Sequence, residues 1–138
     1  MTSFKGRDLL LKIGDGAMPE NFTTLGAARA TSMTLDNDLQ DATAMDAQGT
    51  RSYAALAGVQ GLQIELEGLF KDAAAEELLR AAAFGRLTRN YQLFFPNGDR
   101  YAAAFVVASY TRRGAVEGLE SFSAILLRHG EGTFTAAP

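Results

Sequence analysis

The last third of the sequence constrains the fold most, because it holds three strand-like segments joined by turns. The first, "TRNYQLFF", leads into Pro96-Asn97-Gly98-Asp99. Asn-Gly is typical of a type I′ hairpin turn, since both residues tolerate a positive φ. The return strand "RYAAAFVVASYTR" and, after a turn at 114–118, "LESFSAILLRH" complete the pattern. Together these segments predict an antiparallel meander.

The last two of these strands are apolar or small on both faces. Val107 alternates with Val106 on one strand, and Leu126 alternates with Leu127 on the next. A sheet with one face in water carries polar residues at alternate positions, so the second face here must be covered. Three elements could cover this second face: the helix, a second sheet or another subunit. We therefore expect Val107 and Leu127 to lie in the core or in a contact between subunits.

Upstream, "GLQIELEGLF" gives the clearest strand alternation in the chain. Its apolar residues point to one face, and its polar residues, Gln63, Glu65 and Glu67, point to the other. After Asp72, "AAAEELLRAAAFG" has the apolar spacing of an amphipathic helix that ends at Gly85. The chain therefore places one helix directly after a strand with one buried face.

Two further strands are predicted over residues 8–13 and 24–36, before a polar segment at 36–57 that has neither strand alternation nor a helical stripe. A length of 138 residues is that of one domain. We predict a mainly β, single domain over 1–138. It is an antiparallel β-sandwich or barrel with one flanking α-helix and a long extended loop that protrudes at about 36–57.

No grouping of residues in the sequence indicates catalysis or a bound cofactor. The chain has one histidine and no cysteine, which excludes a two-histidine or thiolate metal site. It lacks the glycine motifs that cradle phosphates. The net charge of −3 argues against a nucleic-acid binder, whose affinity comes from clustered Lys and Arg. We expect no enzyme activity, no cofactor and no metal.

The apolar runs of the chain are short. Leu9–Leu11 is too short for the core of a signal peptide, and residues 102–108 fall far below the roughly 18 residues of a membrane span. We expect synthesis in the bacterial cytoplasm and no membrane insertion.

The order of these parts resembles the major tail protein family, which builds the tail tubes of long-tailed phages and gene transfer agents. The matching segments are Leu35-Asp36-Asn37, Asp41-Ala42-Thr43, residues 51–56 with Gly58, Phe70-Lys71-Asp72, residues 97–101 and residues 120–123. The resemblance implies a hexamer: six copies close into a ring through joined sheets, and the rings stack into a hollow tube for DNA delivery. It also implies location in the tail of a virion or particle, and contacts with tail terminator, distal tail and tape-measure proteins.

The resemblance gives the polar segment a role. A stacking subunit needs an arm that reaches out of its own ring, and loops this long in compact domains are functional or disordered. We interpret the segment as an inter-ring stacking loop that includes Asp36, Asp38, Asp41, Asp46, Arg51 and Tyr53.

The resemblance also suggests what lines the channel of such a tube. We interpret Gln63, Glu65 and Glu67 as lumen-facing residues. An acidic wall repels DNA weakly from all sides once salt screens the charges, so DNA passes without specific binding.

Two alternative functions fit the same pattern. One is the ring or tube protein of a contractile secretion system, which microscopy of the native assembly distinguishes by its sheath. The other is a small-ligand-binding β-barrel, which a stable monomer that binds lipids would favour.

Overall fold

The fold is described from a computed structural model over residues 5, 9–17, 19–25, 28–41, 49–51, 53–54, 59–70, 73–114 and 116–137. Within these residues lie nine strands and one helix. The strands are β1 (Leu10–Gly14), β2 (Phe22–Thr24), β3 (Ala28–Asn37), β4 (Gln40–Asp41), β5 (Tyr53–Ala54), β6 (Gln60–Leu69), β7 (Thr88–Phe94), β8 (Arg100–Arg113) and β9 (Ser121–Thr135). The helix, α1, is Ala74–Gly85 and lies between β6 and β7.

Seven of the strands form one antiparallel sheet in the order β2-β1-β7-β8-β9-β6-β3. The remaining two, β4 and β5, pair with each other in a short separate ribbon. The mainly β, antiparallel fold with one helix is therefore confirmed. The short strand β2, which the sequence does not signal, forms one edge of the sheet, and β3 forms the other.

One face of the sheet encloses the hydrophobic core. In β6 the predicted alternation is confirmed: Leu62, Ile64 and Leu66 are at most 5% exposed, while the residues between them face outward. Side chains of β1, β6, β7, β8 and β9 belong to one buried cluster. Met33 on β3 and Phe95 after β7 line one cavity, although three strands separate β3 from β7 in the sheet. The sheet therefore curves around its core, as the two layers of a sandwich do.

The helix packs on the core face of the sheet. Ala75, Leu79 and Ala82 form its buried stripe at i, i+4 and i+7, and Ala75 and Leu79 belong to the same cluster as the strand residues. The helix ends at Gly85, and Arg86 takes the left-handed cap conformation with φ 54°. Asp72, predicted to precede the helix as its cap, lies outside the described residues.

The turn between β7 and β8 differs in type from the one predicted. The Gly98 N–H donates to the Phe95 carbonyl at 3.0 Å, and the Phe95 N–H donates to the Asp99 carbonyl at 2.9 Å. Gly98 has φ 99°, whereas Asn97 does not have a positive φ. This is the pattern of a type I turn followed by a glycine bulge, which Pro96 favours because its ring fixes φ near −65°. The hairpin itself is confirmed.

Candidate assembly surfaces

The four longest strands are neighbours, and their outer face carries small, polar and some apolar side chains. They are β8, β9, β6 and β3, with 14, 15, 10 and 10 residues. Glu65 lies between Ser32 and Ile125 across this face, and Glu67 occupies the next outward position of β6. Both glutamates are exposed. The outer face thus presents carboxylates near its middle.

Gln63 lies on the same outer face as the two glutamates. Its side-chain amide donates to the Glu65 carboxylate at 2.6 Å, and Thr34 and Leu127 flank it on the neighbouring strands. The structure therefore brings together the three residues that the sequence placed on one face. Two basic side chains of this face, Arg100 and Arg113, lie at the two ends of β8, and Arg113 lines the same surface pocket as Glu67.

Val107 and Leu127 lie on opposite faces of the sheet. Val107 pairs with Leu126, which is fully buried, and it packs partly buried against the core. Leu127 pairs with Val106 and is 44% exposed on the outer face, next to Gln63. The two residues look equivalent in the sequence because each sits in a strand that is apolar on both faces.

The polar segment begins as a continuation of the ribbon formed by β3 and β6. The Gln60 amide donates to the Asn37 side-chain carbonyl at 2.8 Å, and the Asp38 N–H donates to the Val59 carbonyl at 3.0 Å. Beyond these bonds, β4 and β5 pair with Asp41 opposite Tyr53. The described part of the segment, which we call the arm, therefore leaves the sheet as a paired stem.

The arm presents charged side chains to solvent. The predicted arm residues that are exposed are Asp36, Asp38, Asp41 and Arg51. Asp46 and the side chain of Tyr53 lie outside the described residues. Sequence reasoning missed two apolar side chains at the stem, Leu39 and Val59, which are 46% and 78% exposed. In the sequence, each could have been noticed as an apolar residue isolated within a polar run. Exposed apolar side chains that lie close together indicate a contact surface.

A further exposed feature is the loop between β8 and β9, at residues 114–120. At its base, Arg112 donates two hydrogen bonds to the Glu120 carboxylate, both at 2.8 Å, and its guanidinium lies 3.7 Å from the centre of the Phe70 ring. The Phe70 N–H donates to the Glu120 carbonyl at 2.9 Å. Hydrogen bonding to Arg112 lowers the pKa of Glu120 below its ordinary value. We call this set of contacts the latch.

The edges of the sheet are a third candidate surface. The ten-residue strand β3 is bonded to β6 on one side, and on its other side the described residues supply no strand. A long unpaired edge is a template for pairing with another chain unless something covers it.

In the described part of the chain, no helix is long and apolar enough to cross a membrane. Its His, Cys, Asp and Glu side chains form no group of three or more that could hold a metal ion.

Comparison with known families shows to which family the chain belongs. A model of the phage tail tube protein family matches residues 3–134. The chain belongs to the phage tail tube protein family. This tail tube protein is also similar to a chain from the tail of an empty gene transfer agent particle, refined helically with C6 symmetry. The two share 29% identity over 97% of this chain and 100% of that one, with a TM-score of 0.90.

Two other solved structures share the fold. A chain from the virion of a native gene transfer agent particle is 29% identical, with a TM-score of 0.87 over 97% of this tail tube protein and 100% of that chain. The tail tube of SPP1 is 15% identical, with a TM-score of 0.74 over 96% of this chain and 78% of that one. Among curated proteins, none matches the chain significantly.

Proposed function

We propose that this tail tube protein forms six-membered rings that stack into the hollow tail of a phage or gene transfer agent particle, and that DNA passes through the tube. One observation carries the proposal. The similar chain from the gene transfer agent tail was refined with C6 helical symmetry, and its whole length matches 97% of this chain at 29% identity.

The edges of the sheet supply the contact within a ring. A ring of identical subunits needs a heterologous contact, in which one patch of a subunit meets a different patch of the next. The sheet offers two different edges, β3 and β2, at its opposite sides. Pairing of the long edge β3 with the far edge of a neighbour joins the sheets and removes the exposed hydrogen-bonding groups.

The arm supplies the contact between rings. Its paired stem projects the charged side chains of Asp36, Asp38, Asp41 and Arg51 away from the sheet. The exposed apolar side chains Leu39 and Val59 at the stem lose their contact with water when a neighbouring ring packs against them. We assign Asp46 and Tyr53 to the same contact.

The outer face of the long strands lines the lumen. In a sixfold ring, Glu65 and Glu67 supply about twelve carboxylates, two from each subunit. Duplex DNA carries one negative charge per about 1.7 Å of its axis, so basic walls would hold it through many phosphate contacts. An acidic wall, screened over about 8 Å at physiological salt, does not bind DNA and lets it move.

The protein performs a structural role without catalysis in this scheme. Its partners are further copies of itself and the tail terminator, distal tail and tape-measure proteins. It is made in the bacterial cytoplasm and resides in the particle tail.

Negative-stain microscopy of the concentrated, purified protein tests the proposal. We expect rings of six subunits or tubes built from them. A protein that stays monomeric at high concentration and binds lipids in calorimetry would contradict the proposal and support a ligand-binding barrel instead.

A further inference from the structure

The core of the protein opens at one end of the long strands. A cavity of about 340 Å³ lies there, and its apolar lining comes from Met33, Leu35, Leu62, Phe95 and Phe134. Leu35 and Phe134 are 47% and 58% exposed. An apolar cavity of about 150 Å³ already accepts a benzene-sized ligand, so this cavity has room for more than one aliphatic side chain. We call it the mouth.

Three polar side chains, Arg128, Tyr101 and Gln60, border the mouth and are bonded to one another. The Arg128 guanidinium donates to the Tyr101 hydroxyl oxygen at 2.7 Å and to the Gln60 side-chain oxygen at 3.2 Å. These bonds hold the cation at the rim. The mouth therefore suits an apolar occupant rather than an anion.

The opposite end of the long strands carries an apolar tip. In the loop between β8 and β9, Val116 is fully exposed and Leu119 is 74% exposed. The latch between Arg112, Glu120 and Phe70 fixes the base of this loop. A tip that is held in place before binding loses little conformational entropy when it docks.

The tip and the mouth lie at opposite ends of the molecule. Tyr101 at the mouth and Arg113 at the tip are about 40 Å apart along β8, from the rise of about 3.4 Å per residue in an antiparallel strand. Each end carries charges of both signs: Asp36 and Arg128 lie at the mouth, and Arg113 and Glu117 lie at the tip.

We propose that the apolar tip of one copy inserts into the mouth of a second copy in the adjacent ring. The tip and the mouth are different surfaces at opposite ends of the same chain, so their contact is head-to-tail. Such a contact does not close on itself and repeats along an open stack. The second copy is the occupant because the arm, which makes the inter-ring contact, leaves the sheet beside the mouth. The proposal rests on the proposed function, since it needs stacked rings.

The docking gives the stack a polarity. All rings must point the same way, because a tip can meet a mouth but two tips or two mouths cannot pair. The loop of residues 114–120 thereby acts as a second stacking element, in addition to the arm.

Single-cysteine cross-linking tests the docking directly, because the chain contains no cysteine. Val116→Cys and Phe134→Cys variants are purified separately, mixed, assembled and oxidised. A disulfide requires Cα atoms roughly 4.4–6.8 Å apart, so covalent dimers form only where the tip of one copy reaches the mouth of another. We expect covalent dimers from the mixed tubes and, from the chain carrying both substitutions, a ladder of longer oligomers.

The matched control pairs Val116→Cys with Phe84→Cys. Phe84 is 77% exposed near the end of the helix, so its thiol is as accessible as that of Phe134→Cys but does not line the mouth. Equal cross-linking in the control and the test, or no cross-linking in intact mixed tubes, would overturn the docking while leaving the tube function standing. A parent protein that forms neither rings nor tubes would overturn both.

A second variant pair gives an independent readout. Leu119→Asp is at an exposed position, so we expect a folded monomer by circular dichroism whose tube yield falls by about tenfold or more, as for an interface anchor. Leu119→Met keeps the apolar contact and retains tube growth. Normal tubes from Leu119→Asp would contradict the docking.

Discussion

At the scale of single residues, the latch shows how one ion pair can order a functional loop. The two hydrogen bonds from Arg112 lower the pKa of Glu120, and desolvation of the carboxylate opposes them with a smaller effect. A lowered pKa means that the charged carboxylate is favoured in the folded protein. The resulting stabilisation of the loop is present above the ordinary pKa of glutamate and is lost as the pH falls through the lowered value.

The first prediction is that Arg112→Gln returns the pKa of Glu120 to about its ordinary value of 4.5. The measurement is an NMR titration of the glutamate side chains. Asp15 serves as the internal control, because its pKa is lowered by the backbone N–H groups of Ala17 and Asn21 and does not depend on Arg112. An unchanged Glu120 pKa in the variant would show that the ion pair does not form in solution.

A second prediction separates two residues that look alike in the sequence. Val107→Asp places a carboxylate against the core, so we expect the free energy of unfolding to fall by about 1–3 kcal/mol, with loss of soluble protein. Leu127→Asp lies on the exposed outer face, so we expect a free energy of unfolding close to the parental value. Urea unfolding of both variants is the measurement. Equal destabilisation would mean that the pairing register of β8 and β9 is wrong.

At the scale of elements, the arm is separable from the sheet. Its stem is tied to β3 and β6 by the Asn37–Gln60 and Asp38–Val59 hydrogen bonds, and the core cluster contains no residue of the arm. We predict that deleting residues 41–51 leaves a folded, soluble monomer and abolishes tube growth. Circular dichroism reports the fold and microscopy reports the tubes. Tubes of normal length from the deletion variant would show that the arm is not needed for the contact between rings.

The elements also show which features the sequence could predict. The alternation in β6, the apolar stripe of α1 and the hairpin at Asn97-Gly98 were predictable, because each depends on neighbours within a few residues. The mouth was not, since Leu35, Phe95 and Phe134 come together only through the curvature of the whole sheet. The sequence also could not predict on which face of the sheet Val107 and Leu127 lie. Both faces of β8 and β9 carry apolar side chains, and the two residues differ only in the folded sheet: Val107 lies opposite buried Leu126, whereas Leu127 lies opposite half-buried Val106.

At the scale of the whole molecule, the faces of the sheet have different tasks. The core face packs against the helix, while the outer face of the long strands carries Glu65 and Glu67 together with small side chains and the apolar Ile125 and Leu127. Placing that outer face toward the lumen gives the tube a wall that does not bind phosphates.

Charge reversal tests this assignment. We predict that Glu65→Lys combined with Glu67→Lys leaves rings and tubes intact but slows or blocks DNA delivery, most strongly at low salt, where phosphate contacts are strongest. Transfer of packaged DNA to recipient cells is measured against particle counts. Glu77→Lys is the control on the exposed side of the helix, where it reverses one charge, half the change of the double variant. If intact mutant particles deliver DNA as well as the parent does, the two glutamates have no part in passage.

The most direct test of the central claim is a helical reconstruction by cryo-electron microscopy of tubes assembled from the pure protein. We predict sixfold rings in which the outer face of β3, β6, β8 and β9 lines the channel, with Glu65 and Glu67 pointing into it. Tubes in which the helix or the arm lines the channel, or in which this sheet face points outward, would contradict the account.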